Sequence, residues 1–236
     1  MVNKIFGKKS ILEAIENNLE IDKIICNKNQ PDILKIISNK TEFIIENNNF
    51  FNQFDKTLNH QFCVAFLKEK TIKSLSINDL IDKIKKQDEI KVLILDEIED
   101  PRNFGAIIRT AVCFGIDAII YKNKNQVQIN DLTIKSSMGA IYYIDMYKVA
   151  NLSNVIEKLK SVGVWIYASI LDEEASDFNE IKFDKKSAII VGNENLGITN
   201  IVIKNSDFKV FIPITKIDSL NVSVATGILL NKLGNR

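Results

Sequence analysis

Three polar loops hold the residues of this sequence that are best equipped for chemistry. The first runs Asp100-Pro101-Arg102-Asn103-Phe104-Gly105-Ala106-Ile107-Ile108-Arg109 and opens a helix. Asn103 suits an N-cap there, and Gly105 lies four residues before Arg109, on the same helical face. A missing side chain at Gly105 leaves room for a ligand while Arg109 reaches toward it. Arginine stays charged at any working pH and presents a planar fork of donors, so its natural target is phosphate or carboxylate. A surface arginine on an exposed helix face is the plainer alternative. The second loop is Gly192-Asn193-Glu194-Asn195-Leu196-Gly197, directly after the apolar run Ser187–Val191. The third, Ile212-Pro213 to Ser219-Leu220-Asn221-Val222-Ser223, puts hydroxyls, an amide and free backbone N–H groups ahead of a last apolar helix. An ordinary capped helix start would carry the same residues.

Neither standard nucleotide loop fits. Gly192 and Gly197 have the spacing of a phosphate loop, but Ile198-Thr199 follows where a lysine and a hydroxyl residue are required. None of the 9 glycines stand two apart, so no G-x-G dinucleotide turn exists. A ligand of these loops must be bound in another way.

The elements that must position the loops follow from the apolar pattern. Val92-Leu93-Ile94-Leu95 is a continuous apolar run, as expected of a parallel strand buried on both faces. A helix to Gly115, a strand at Ala118–Tyr121, helices near Leu132–Met138 and Val155–Val162, and strands at Val164–Ser169 and Ser187–Val191 follow in alternation. That order predicts an α/β domain with a parallel sheet over residues 91–236, whose ligands bind beyond the carboxyl ends of the strands. Residues 1–70 read as a smaller α/β unit: a helix over Lys8–Asn18, a strand at Ile21–Cys26, a helix after Pro31, and strands at Glu42–Ile45 and Phe62–Leu67. The Lys-rich stretch 71–90, with a short amphipathic helix at Ile77, Leu80, Ile81 and Ile84, reads as a linker that buries little.

Composition narrows the function classes. At 46% hydrophobic and 26% charged residues, the chain is that of a globular protein with a sizeable core. A net charge of +1 gives no global case for nucleic acid, although a local basic patch remains open. An odd count of 3 cysteines (Cys26, Cys63, Cys113) and 1 histidine, His60, argue for a reducing compartment and against a zinc site. No stretch approaches the roughly 18 apolar residues of a membrane span, and the start lacks the apolar run of a signal peptide. A cytoplasmic protein is expected.

Taken together the loops resemble the three motifs of the SpoU (TrmH-like) family of RNA ribose 2′-O-methyltransferases, in the SPOUT class. Asp100–Ala111 matches the first motif, Ile190–Gly197 the second, and Ile212-Pro213 with Ser219–Ala225 the third. Residues 1–70 resemble the L30e-like RNA-binding domain fused ahead of the catalytic domain in the branch that methylates a 23S rRNA guanosine. The resemblance implies a parallel sheet ending in a deep trefoil knot, S-adenosylmethionine bound in the knotted loops, an rRNA or tRNA substrate, a homodimer and no metal. It implies that Arg109, Asn103, Glu194, Ser219 and Asn221 form the polar active site. Gly192, Gly197, Ile212, Leu220 and Asn221 would hold the cofactor. Two departures stand out. The stretch Ile214–Asp218 is one residue shorter than usual and lacks the customary glycine, so the backbone path there is expected to differ. Phe62 stands where relatives usually have glycine after His60-Gln61. A non-catalytic RNA-binding protein of the same fold is the alternative from a different class, against which all five polar motif residues are present.

Overall fold

The structure, a computed structural model, describes residues 4–29, 41–68, 75–172, 174–216 and 219–235. The helix expected after Pro31 lies outside them. The N-terminal unit holds β1 (Lys4–Phe6), α1 (Lys8–Glu16), β2 (Ile21–Cys26), β3 (Glu42–Ile45) and β4 (Cys63–Leu67) in the sheet order β1-β4-β2-β3. Two 3-10 turns, Asn48–Gln53 and Lys56–Leu58, fill the Asn- and Phe-rich stretch before β4. Antiparallel register sets Cys26 opposite Cys63, and a disulfide joins them. The sequence reading assigned no pair among the three cysteines; Cys113 alone is free and exposed among the described residues.

The second unit contains α2 (Ile77–Lys85), β5 (Ile90–Asp96), α3 (Pro101–Cys113), β6 (Ala118–Lys122), α4 (Asp131–Ser137), β7 (Asp145–Val149), α5 (Leu152–Ser161), β8 (Trp165–Ser169), β9 (Ser176–Asp177), β10 (Lys186–Gly192), α6 (Asn200–Asn205), β11 (Phe208–Phe211) and α7 (Val222–Gly234). Its strands order as β7-β6-β5-β10-β8-β11-β9, every described pairing parallel. The apolar runs are unbroken because both faces are covered. Leu93 and Leu95 face α3 and α7, whereas Val92 and Ile94 face α2 and α5. Among the described residues no helix is long and apolar enough to cross a membrane.

The expected linker is in part core. Ser76 and Asp79 cap α2 reciprocally, a sequence-local reason for a helix to start there. Leu80 and Ile84 are fully buried against the sheet. Leu80→Ala is therefore expected to lower stability by about 2–5 kcal/mol, read by urea denaturation; a change under 1 kcal/mol would restore the linker reading. The two units also share core: Ile5, Ile11 and Ala14 pack in one cluster with Ile134 and Ile141, and Tyr143 donates to Glu13 across the junction at 2.5 Å.

The chain runs from β5 outward through β6 to β7, then returns to build β8, β10 and β11 on the other side. The switch point lies between β5 and β10, where Asp96 and Gly192 are register partners. Open parallel sheets bind ligands at such points. The first two polar loops leave the sheet there.

Candidate active site

Asp96 ends β5 fully buried. Its Oδ2 accepts from both the backbone N–H and the hydroxyl of Thr199, each at 2.8 Å, and Oδ1 pairs with Lys122 at 3.3 Å. Lys122 also contacts Glu97 at 2.5 Å. Burial by itself would lower the Lys122 pKa, but the bonds to Glu97 and Asp96 outweigh it and hold the ammonium above its usual value. Asp96 thus fastens the end of the second loop to the end of the central strand. Asp96→Ala should cost about 3 kcal/mol, the worth of two bonds to a charged acceptor, and should do so in a urea titration; an unchanged midpoint would contradict the role.

The second loop is stapled by its own residues. Asn193 and Gly197 exchange backbone hydrogen bonds at 3.0 Å in both directions. The Asn193 side chain accepts from the N–H groups of Asn195 (2.8 Å) and Leu196 (3.1 Å) and donates to the Glu97 carbonyl (2.9 Å). Glu97 turns the chain in the left-handed region, φ 66°. A β-carbon at Gly192 would lie 2.3 Å from the Gly197 carbonyl carbon and oxygen. The five-residue spacing of these glycines therefore closes a loop on itself rather than cradling a phosphate.

Helix α3 is capped by Asp100, whose Oδ1 accepts from Arg102 N–H at 2.6 Å, with Pro101 in the first turn. Asn103 is not the cap, as the sequence reading had it, but lies one turn inside. Its side chain is free to bridge: the amide donates to Glu194 and the carbonyl accepts from Asn221 at 3.2 Å. Asn221 in turn caps α7, its Oδ1 accepting from Ser223 N–H at 2.9 Å and from the Ser223 hydroxyl at 2.6 Å. Asn103, Glu194 and Asn221 thus join all three loops in one network. Gly105 departs from expectation as well. A β-carbon there would meet Ser136 Cβ at 2.4 Å and the Thr133 carbonyl at 2.7 Å, so its missing side chain admits α4 and not a ligand.

Beside this network opens a cavity of about 660 Å³, within the usual range for small-molecule sites. Gly192, Glu194, Gly197, Ile212, Ser219 and Leu220 line it, six of the residues singled out in the sequence. Asn103 and Asn221 stand behind it through the hydrogen bonds given above. Arg109 stands apart: it is exposed on α3 and donates to the thioether sulfur of Met138 at 3.0 Å. Sequence reasoning missed Ser169, Ile170, Leu171 and Asp172, which form the wall beyond β8. Their signal was their place at the carboxyl end of an apolar strand. It also missed Asp96, Asn193 and Thr199, where a lone acidic residue closing an apolar run was the available cue. Of the loop 214–218, Ile214 lines the cavity, while residues 217 and 218 lie outside the described ones.

Comparison with known proteins agrees with this geometry. The sequence profile of the SpoU rRNA Methylase family matches residues 91–231, and that for RNA 2'-O ribose methyltransferase substrate binding matches residues 4–73. An uncharacterized tRNA/rRNA methyltransferase of Mycoplasma genitalium is 39% identical over 230 residues, covering 96% of this chain and 94% of that protein. Among solved structures, the AdoMet-bound rRNA methyltransferase of Sinorhizobium meliloti superimposes with a TM-score of 0.77 at 24% identity, over 97% of this chain and 85% of that one. The SpoU methyltransferase AviRb of Streptomyces viridochromogenes, in complex with AdoMet, does so at 0.78 and 19%, over 98% and 89%. The two superpositions show the fold, a SPOUT-type methyltransferase sheet.

Proposed function

The chain belongs to the SpoU rRNA Methylase family, and from that membership and the site's geometry we propose that it transfers a methyl group from S-adenosylmethionine to a ribose 2′-hydroxyl of RNA, a guanosine of 23S rRNA being the specific target. The observation that carries this reading is the cavity beyond the carboxyl ends of β8, β10 and β11, lined by Glu194, which Asn103 joins to Asn221 behind it. The site fits the cofactor. Gly192 and Gly197 leave backbone exposed to a ligand, and Ile170, Ile212, Ile214 and Leu220 give apolar contact for an adenine. When bound, the cofactor supplies a methyl group already activated on a sulfonium, so the protein must chiefly position the acceptor, which alone contributes several kcal/mol.

The chain's own residues divide that work. Among the described residues Arg109 is held by a thioether, a weak acceptor. An RNA phosphate would displace that contact and form charge-assisted bonds to the guanidinium, fixing the ribose beside it. Arginine does not deprotonate in proteins, so Arg109 is no base. Of the two carboxylates at the cavity, Asp172 and Glu194, Glu194 is the one joined to the motif residues through Asn103, and it is the candidate to accept the hydroxyl proton. Ser219 and Asn221 close the third loop over the cofactor. In this reading the C-terminal segment from β11 to α7 is the knotted element. Residues 1–70 form the RNA-binding unit, supported by the substrate-binding profile over 4–73. The active form is a homodimer, for which exposed Leu171 and Leu196 at the cavity supply apolar surface.

Calorimetry with S-adenosylmethionine, followed by 2′-O-methyl mapping of rRNA and tRNA with and without the protein, tests the proposal. A new site in rRNA is expected. A site confined to tRNA would change the substrate, and absence of cofactor binding would favour a non-catalytic RNA-binding protein.

A further inference from the structure

We propose that Phe62 is a stacking platform for an unpaired base of the RNA substrate, at the far end of a track that begins at Arg109. The inference rests on the RNA methyltransferase reading above and names where the N-terminal unit grips the substrate.

The turn before β4 is strained at residues without glycine's freedom. Asn59, Gln61 and Phe62 have φ of 40°, 51° and 54°. For a bulky ring this left-handed conformation is an outlier, and glycine would hold it without strain. Burial does not compensate. Phe62 is 38% exposed, and its ring meets Phe51 and His60 only steeply, at 88° and 75° with centroids 5.7 and 5.3 Å away. The turn is nonetheless rigidly pinned. His60 Nδ1 accepts from Phe62 N–H at 3.0 Å, and the imidazole stacks on buried Phe51 at 5.3 Å. Asn27 N–H donates to the Phe62 carbonyl at 3.0 Å. Burial, and then the charge of Lys135, hold the His60 pKa below its usual value, so Nδ1 remains an acceptor at neutral pH. A strained, exposed and immobilised aromatic ring is what a recognition surface requires.

Its position links it to the candidate active site. The turn borders α4: a β-carbon on Gly7 would lie 1.8 Å from Lys135 Nζ and 3.1 Å from Gln61 Oε1, so both side chains converge at Gly7. Lys135 lies about one helical turn before Met138, whose sulfur holds Arg109. From Arg109 through half-buried Lys135, whose burial lowers its pKa, to Phe62 the protein therefore lines up two basic side chains and then an aromatic ring. Single-stranded RNA is held by that combination: cations track the phosphates and exposed rings stack on bases. Sequence-specific RNA recognition targets loops and bulges whose unstacked bases can stack on aromatic side chains.

The test compares Phe62→Gly, Phe62→Leu and Phe62→Trp with the wild type, using unmodified rRNA transcribed in vitro, tritiated S-adenosylmethionine and thermal denaturation. Phe62→Gly should melt at the wild-type temperature or above, because strain is relieved. Its KM for RNA should rise about 10-fold, with kcat and the KM for S-adenosylmethionine unchanged. Phe62→Trp should restore the KM and Phe62→Leu should not. An unchanged KM in Phe62→Gly, equal rescue by leucine, or a melting temperature several degrees lower would each overturn the proposal. If the wild type methylates no RNA, that failure belongs to the proposed function. Anisotropy with a fluorescein-labelled single-stranded RNA 20-mer then decides for Phe62: a Kd raised by Phe62→Gly and restored by Phe62→Trp supports it, and equal Kd values overturn it.

Discussion

Arg109→Ala is expected to lower kcat about 100- to 1,000-fold, the usual effect of deleting one donor aimed at a reacting centre, while leaving S-adenosylmethionine affinity unchanged. The asymmetry follows from place. Arg109 is exposed and does not line the cavity, so it cannot contribute to holding the cofactor. Its guanidinium rests against Met138 through a contact that an RNA phosphate would readily replace. Little stability should be lost, since an exposed arginine on a helix surface contributes little. Arg109→Lys keeps the charge but loses the planar fork, so it should recover only part of the activity. Single-turnover methylation with saturating cofactor reads the effect. Near-normal turnover in the alanine variant would remove Arg109 from the mechanism.

Gly192→Ala should abolish cofactor binding and destabilise the fold by about 1–3 kcal/mol, the range for overpacking a tight contact. The added β-carbon would sit 2.3 Å from the carbonyl carbon and oxygen of Gly197 and 2.4 Å from Ile198 N. All three are backbone atoms of a loop tied down by the Asn193–Gly197 exchange and by Thr199 on Asp96. No side chain can swing away to make room, so the loop itself must move and the cavity wall moves with it. Gly197→Ala provides the contrast. Its β-carbon would meet no heavy atom within 4 Å, but φ is 69°, so the cost is backbone strain of about 1 kcal/mol with a milder effect on binding. Calorimetry on both variants would expose the difference. Equal, undiminished affinity would show that the loop does not form the cofactor site.

Much of the methyltransferase fold was legible because its strands are unbroken apolar runs: Leu93-Ile94-Leu95 and Ala188-Ile189-Ile190 admit little besides buried parallel strands. β7 was not legible, because Asp145 and Lys148 interrupt its apolar residues. Within the site, spacing identified which residues share a face but not what lies against it. Gly105 and Arg109 illustrate this: the reading of one face was sound, yet Ser136 of α4 fills the place imagined for a ligand. Asn103 was misplaced as a cap because Asp100 followed by Pro101 is the stronger start signal. The pairing of Cys26 with Cys63, 37 residues apart, depends on strand register that no local pattern encodes. The interlock of Asn103, Glu194 and Asn221 likewise joins residues 91 and 118 positions apart. Only the resemblance of all three loops to one family suggested it beforehand.

The central claim is that the methyl group goes to a ribose oxygen. Unmodified rRNA should be incubated with the protein and tritiated S-adenosylmethionine, then hydrolysed completely with alkali. A 2′-O-methyl group blocks cleavage of the adjoining phosphodiester, because the neighbouring hydroxyl needed for attack is gone. The account predicts that the label is recovered in alkali-resistant dinucleotides. Label recovered in mononucleotides would place the methyl group on a base and contradict it.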